Sequence, residues 1–430
     1  MRFILALVLY RLLFLLLTPL LLVALLLRSI NHQAYRQRLL ERLGFISSAL
    51  QPGGIIVHAA SVGEVIALKP FITELLNNDA SLPITVTTFT PTGSAQVKKL
   101  FADKVQHCYL PLDNIFSSQL FLRRLKPKAM IFMETELWPN IIAQCQKKRI
   151  KLLLVNGRLS NKSMHSYQKL TWLITPTIQR FDKILTQSQV NQDNYLTMGA
   201  SAERCELSGN LKFDISVNND IAAKQQELAS LITQQRKIWL IASTHPSDEA
   251  LALAAFEQIK QQESNALLVI VPRHPERFQQ VTKLAKETGH SVLKRSERQP
   301  VTLSTSVWII DTLGELLSAC ALADVVTMGG SFSDIGGHNP LEPALFKKPV
   351  IVGPNMSNFI EILTQLKAEH GIVQIDENED MPQAIAHHVL ALFADEHHAQ
   401  QLGNNSYKVV QANQGATSRS LVALQTLLRV

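Results

Sequence analysis

Apolar positions are distributed unevenly along the chain, and their spacing predicts most of its elements. Residues 3–27 are almost wholly apolar, broken by Arg11 and Pro19, and 12–27 carry no charge. A helix over 12–27 would run about 24 Å, a little short of a hydrocarbon core of about 30 Å. Residues from 3 onward supply the missing length if Arg11 snorkels or packs on protein. Arg28, Arg36, Arg38 and Arg42 follow the apolar run, against Arg2 alone before it. The excess predicts a cytoplasmic location for everything after residue 28. No small-x-small cleavage site follows the leucines, so residues 1–30 read as an uncleaved anchor, separate from the core of any domain, and not as a signal peptide.

After a short basic segment, brief apolar runs alternate with helical periodicity. Residues 55–58, 84–88, 129–133, 151–156 and 181–186 read as buried strands, with helices predicted over 63–76 and 93–101 among others. The pattern pauses between 213 and 236, a polar stretch rich in Asn, Gln and Ala that reads as a linker. It restarts with strands over 237–242, 267–271, 307–310, 325–328 and 350–352. A last helical pattern, 417–428, is placed to pack back across the first half. Strands alternating with helices predict an α/β fold with parallel sheets covered on both faces. The expected domains are 31–220 and 221–430, two Rossmann-like halves facing a cleft, with candidate residues at the carboxyl ends of the strands.

Composition narrows the partners. Basic residues number 42 and acidic residues 35, a formal net charge of +7. That modest excess suits an anionic membrane surface or a nucleotide-bearing substrate. Nucleic acid is not indicated, because no basic run is interleaved with aromatics. Cys108, Cys145, Cys205 and Cys320 are far apart and form no C-x-x-C pair, so they read as reduced thiols.

Six strings could carry chemistry, most of them directly after a predicted strand. In HAASVGEV, small residues permit close approach to the backbone and Glu64 falls on the first helical turn, where the helix dipole favours a carboxylate for structural reasons too. METELWPN carries Glu134 and Glu136, of which one is expected to face the cleft and the other to cap or be solvated. SGNLKFD places Lys212 beside the linker, where a surface lysine is the simpler reading. PRHPER offers the Arg273 fork to a phosphate or carboxylate. DTLGEL is a further strand-to-helix turn. GGSFSDIGGHNPLEP has four glycines in nine residues, expected to present backbone N–H groups to an anion, with a helix starting near Asn339 and Glu342 placed to accept from a ribose diol. The pairs His387–His388 and His397–His398 diverge as helix neighbours and make poor chelates, and the acidic run 376–380 reads as a solvated loop.

Together these strings, with YRQRLLERLG, TTFTPTG and NGRLS, resemble the 3-deoxy-D-manno-octulosonic acid (Kdo) transferase family of lipopolysaccharide biosynthesis. They occur in the family's order from Tyr35 to past Pro343, and METELWPN with GGHNPLEPA is the most specific part. The resemblance implies a GT-B glycosyltransferase with an N-terminal membrane-anchor helix in the inner membrane. The implied reaction moves Kdo, with inversion, from the CMP-Kdo donor to lipid IVA. Carried over to this chain, Glu64 becomes the general base, and Glu134 and Lys212 stabilise the transition state. Pro272, Arg273, Leu313, Gly314, Glu315, Asn339, Pro340, Leu341 and Glu342 become the nucleotide site. No metal and no other cofactor is implied. Two alternatives stay open on the residues alone: a membrane-associated GT-B transferase using a UDP-sugar, and a non-catalytic membrane-tethered nucleotide-binding module.

Overall fold

The structure is a computed structural model that describes residues 2–31, 33–79, 81–214 and 219–429. Strands β1 (Ile55–His58), β2 (Ile84–Thr88), β3 (Gln106–Tyr109), β4 (Ala129–Met133), β5 (Lys151–Gly157), β6 (Lys183–Thr186) and β7 (Cys205–Leu207) form one parallel sheet, ordered β3-β2-β1-β4-β5-β6-β7. Strands β8 (Ile238–Thr244), β9 (Leu267–Pro272), β10 (Val292–Lys294), β11 (Val307–Ile309), β12 (Val325–Met328), β13 (Val350–Val352) and β14 (Val373–Gln374) form the second, ordered β10-β11-β9-β8-β12-β13-β14. Each central strand is buried along its length because successive side chains feed opposite faces. Ile55 and Val57 join the core on one side of the first sheet and Ile56 the core on the other, while Trp239 and Ile241 oppose Ile238 and Leu240 in the second.

The structure departs from the sequence pattern at four places. The helix expected over 63–76 is two helices, Val62–Ala67 and Lys69–Asn78, with Pro70 at the start of the second. Proline has no N–H to give back to the preceding turn, so a new helix begins there. The edge strands β3, β7, β10 and β14 had no strand signal, because edge positions such as Gln106 and Glu206 are polar and partly exposed.

Most of the expected linker is helical. Residues Asn219–Leu231 form a helix that buries Leu228, receives the Ser318 hydroxyl at the Ile221 carbonyl, and is pinned by Arg295 to Glu227 at 2.5 Å. Its Ala-rich composition has the helix propensity that a linker reading ignores.

The apolar N-terminal segment is the helix Arg2–Asn31, which packs against the helices Thr171–Ile178 and Pro139–Lys147. Tyr10 Oη donates to Asp113 at 2.8 Å, Arg11 Nε to Asn140 at 3.0 Å, and Asn114 Nδ2 to Thr18 at 3.2 Å. The segment therefore does not stand apart from the domain that follows it.

The chain divides into two compact units, Met1–Asp214 with Asn413–Val430, and Ile215–Ala412. The first unit thus stops short of residue 220 and regains the C-terminal helix Ala416–Arg429, which contributes Ala416, Leu421 and Leu424 to the first core. Asp214 fastens this return, accepting from the N–H groups of Gly415 at 2.8 Å and Thr417 at 2.6 Å.

Candidate active site

In the first unit the strand order reverses between β1 and β4, and the carboxyl ends of those two strands carry the candidate residues. A doubly wound sheet opens its crevice at that reversal. Ser61 caps the helix Val62–Ala67 by accepting from the Glu64 N–H at 3.3 Å. The Glu64 carboxylate returns over the turn, accepting from the Ala60 N–H and the Ser61 hydroxyl, each at 2.8 Å. It is 8% exposed, so one rotamer is held while a small opening to solvent remains. Burial pushes its pKa up, the two hydrogen bonds oppose this, and the charges of Glu134 and Glu136 push it up further.

Glu134 and Glu136 leave β4 in a turn and loop, so the helical-face argument does not govern them. Glu134 has a φ of 59°, rare for a residue with a side chain. Its carbonyl accepts from Tyr195 Oη at 3.3 Å and its carboxylate is 2.7 Å from Lys212 Nζ. Glu136 accepts from Trp138 Nε1 at 2.6 Å and lies 3.4 Å from Nε2 of the buried His58, close enough for attraction but not aligned as a hydrogen bond. Burial raises the Glu136 pKa, but His58 and Trp138 outweigh it and hold the carboxyl below its usual value.

Lys212 rides on the single turn Leu211–Phe213, which lies against the Glu64 helix. A buried amide network sets that turn: Asn156 accepts from the Leu211 N–H at 2.8 Å, Gln187 donates to the Asn156 carbonyl at 3.0 Å, and Asn210 accepts from the Lys212 N–H at 3.0 Å. Glu64, Glu134 and Lys212 are therefore brought together. His58 joins them, and so does Glu136, the METELWPN acid to which the resemblance assigns no role.

In the second unit the reversal lies between β8 and β12. Pro272 ends β9 and Arg273 follows it, with Pro272 buried and Arg273 exposed. Burial pushes the Glu342 carboxyl up to about 7 against the opposing charge of Arg273, which places the two near each other. Glu342 sits on the single turn Leu341–Ala344, which Asn339 caps by accepting from the Leu341 N–H at 3.1 Å, with Pro340 between them. That turn is too short for the helix-end field expected near Asn339.

The glycine loop also differs from expectation. Gly329 donates to the Ala242 carbonyl at 2.7 Å, Gly330 to buried Asp248 at 2.7 Å, and Gly337 to the Gly330 carbonyl at 2.8 Å. Those N–H groups are consumed internally. Gly329 is needed for space, since a Cβ there would lie 2.7 Å from the Ser243 carbonyl. Leu313 and Gly314 are exposed after β11, whereas Glu315 is buried and its carboxylate is taken by Arg295 at 3.1 Å and by Thr312. The Glu315 side chain is thus taken up within the protein, whereas Leu313 and Gly314 are open to a ligand.

Three residues that the sequence reading passed over share this end of the sheet. His245 Nε2 is 2.9 Å from His338 Nε2, and Asp248 accepts from the His245 N–H at 2.8 Å. Burial, then Arg273 and the neighbouring histidines, lower the His338 pKa to about 4, so it is neutral at pH 7. The signal was the THPSD string, a strand end followed by a capping box. Among the described residues, no group of three or more His, Cys, Asp or Glu is arranged to hold a metal ion.

Two doubly wound units with polar residues gathered at the carboxyl ends of their strands define the GT-B fold. The fold matches a glycosyltransferase from Rickettsia africae ESF-5, 12% identical with TM-score 0.50, over 88% of this chain and 99% of that one. Residues 37–215 match the family model described as 3-deoxy-D-manno-octulosonic-acid transferase (kdotransferase). The chain is 39% identical over 421 residues to the 3-deoxy-D-manno-octulosonic acid transferase of Haemophilus influenzae, covering 97% of this chain and 98% of that one. It belongs to the 3-deoxy-D-manno-octulosonic acid transferase family and is a Kdo-transferring enzyme. The C-terminal CMP-Kdo binding domain of WaaA from Acinetobacter baumannii is 31% identical, over 44% of this chain and 97% of that domain, with TM-score 0.41.

Proposed function

We propose that this enzyme transfers Kdo from CMP-β-Kdo to lipid IVA with inversion, on the cytoplasmic face of the inner membrane. The observation that carries the reading is the Glu64 carboxylate, held in one rotamer and beside the Glu134–Lys212 pair at the strand reversal of the first unit. Glu64 takes the proton from the acceptor hydroxyl as that oxygen bonds to the anomeric carbon. The bond from that carbon to the phosphate oxygen breaks, and CMP departs with the electron pair. A carboxylate with a raised pKa is the better base for an alcohol, because it holds the proton more firmly as the new bond forms.

Lys212 offsets negative charge on the Kdo carboxylate or the departing CMP, and Glu134 orients it through the 2.7 Å ion pair. Arg273 meets the CMP phosphate and Glu342 accepts from the ribose hydroxyls, with Asn339, Pro340 and Leu341 shaping the turn. Pro272 and the backbone of Leu313, Gly314 and Glu315 complete the nucleotide site. The N-terminal helix attaches the enzyme to the membrane that holds the lipid acceptor. Membrane lipids are thus a partner, while nucleic acid and a metal have no part in the scheme.

Mass spectrometry of a reaction containing the full chain, CMP-Kdo and lipid IVA tests this. The expected product is lipid IVA bearing Kdo, with one CMP released for each sugar transferred. Transfer from a UDP-sugar with none from CMP-Kdo would refute the donor, and nucleotide binding without any transfer would refute the enzyme.

A further inference from the structure

The N-terminal helix is long and apolar enough over Leu5–Ile30 to cross a membrane, yet protein covers one of its faces. Leu7, Thr18 and Ser29 are buried, and they are spaced eleven residues apart. Eleven residues make about three helical turns, so these three share a face, and that face runs about 33 Å. Three polar residues of the segment bond to the protein. Tyr10 bonds Asp113, Arg11 bonds Asn140 and Thr18 bonds Asn114. Asp113, Asn114 and Asn140 are themselves at most 3% exposed. Asp113 also accepts from the N–H groups of Asn140 at 2.9 Å and Ile141 at 2.8 Å, which caps the helix Pro139–Lys147 that follows the Glu134–Glu136 loop.

The other face is leucine-rich and bare: Leu5, Leu16 and Leu27 are 62%, 75% and 60% exposed. Exposed Leu170 precedes, and exposed Trp172 lies at the start of, the helix Thr171–Ile178 on which this segment packs, and exposed Arg28 and Lys169 lie alongside in sequence.

A helix held along one face to the first unit by Tyr10–Asp113, Arg11–Asn140 and Thr18–Asn114 cannot cross the bilayer while it stays docked. Crossing about 30 Å of hydrocarbon would carry the part of the first unit around Asp113, Asn114 and Asn140, with its surface loops, into the bilayer core, where exposed backbone and charge are strongly disfavoured. We infer that the N-terminal helix lies in the plane of the membrane surface, latched to the first unit through Tyr10–Asp113, Arg11–Asn140 and Thr18–Asn114, with its leucine face in the lipid. Apolar residues with an aromatic at the headgroup level and cations alongside match the chemistry of an anionic bilayer surface. The latch turns the anchor from a loose tether into a rigid mount that fixes how the Glu134–Glu136 loop stands relative to the membrane.

This inference rests on the membrane attachment proposed above, and the experiment separates the two. Cys108, Cys145, Cys205 and Cys320 are all buried, so a spin label goes to a single introduced cysteine. Leu5→Cys, Leu16→Cys and Leu27→Cys in the full chain, bound to phosphatidylethanolamine–phosphatidylglycerol vesicles, report depth by oxygen and nickel-chelate relaxation. An in-plane helix gives three similar, shallow depths. A deep label at Leu16 between shallow labels at Leu5 and Leu27 would overturn the in-plane arrangement and leave attachment standing. Three labels in water would overturn attachment itself. The double variant Tyr10→Phe, Arg11→Leu on the Leu16→Cys background should move that label deeper, with CMP affinity within twofold of its parent. An unchanged depth in a protein that still binds CMP would refute the latch.

Discussion

The pH profile of Kdo transfer is the sharpest reporter of the Glu64 environment, because neighbouring charges act on it in opposite directions. A general base works only when deprotonated, so activity falls as pH falls through its pKa. Burial and the charges of Glu134 and Glu136 raise that pKa, which places the acid limb of kcat/KM above the ordinary carboxylate range. Glu134→Gln removes one like charge and should move the limb down. Lys212→Met removes the cation 2.7 Å from Glu134, leaves that charge uncompensated and should move the limb up. Both variants also lose transition-state stabilisation, but that lowers the plateau without moving the limb. The Lys212 side chain is 35% exposed and that of Glu134 17%, so water screens the pair, and the two limbs should move modestly and in opposite directions. The assay is initial rate from pH 4.5 to 9, in detergent at low salt to limit further screening. Shifts of the same sign in both variants, or a limb that persists in Glu64→Gln, would refute the reasoning.

Arg273→Ala and Glu342→Ala should each weaken CMP binding by about 1–3 kcal/mol in calorimetry, through lost charge-assisted hydrogen bonds. Because the Glu342 pKa is pushed up to about 7, its carboxylate becomes an acceptor only as pH rises through neutrality; CMP affinity should climb over that range, and Glu342→Gln should flatten the climb. Tyr10→Phe removes one hydrogen bond from buried Asp113 and should cost about 1–2 kcal/mol, read as a fall of a few degrees in the Tm of the first unit.

Much of this arrangement was legible in the sequence. The central strands announced themselves because both sheet faces are buried, so runs such as IIVH and AMIFM carry no polar residue until the strand end. Glu64, Glu134 and Lys212 were legible as motif positions, and their meeting follows from the strand order that puts β1 beside β4. The edge strands were not legible, since Gln106 and Glu206 answer to solvent on one side. Nor was the role of Asp248. Its partners, the His245 and Gly330 N–H groups, lie far apart in sequence and meet only when β8 pairs with β12. The docked face of the N-terminal helix was hidden for a related reason: Tyr10, Arg11 and Thr18 look like blemishes in an apolar run until Asp113, Asn140 and Asn114 are placed beside them.

The claim at the centre of this account is that Glu64 is the base, and single-turnover transfer by Glu64→Gln tests it most directly. The amide keeps the side chain's shape but cannot take a proton. The account predicts a rate of Kdo transfer to lipid IVA lower by about 10² or more, with CMP affinity within twofold of wild type, because the residues proposed to bind the nucleotide belong to the other unit. Transfer at a rate near that of the wild type would contradict it, and Glu64 would then only brace the Ser61 cap of the Val62–Ala67 helix.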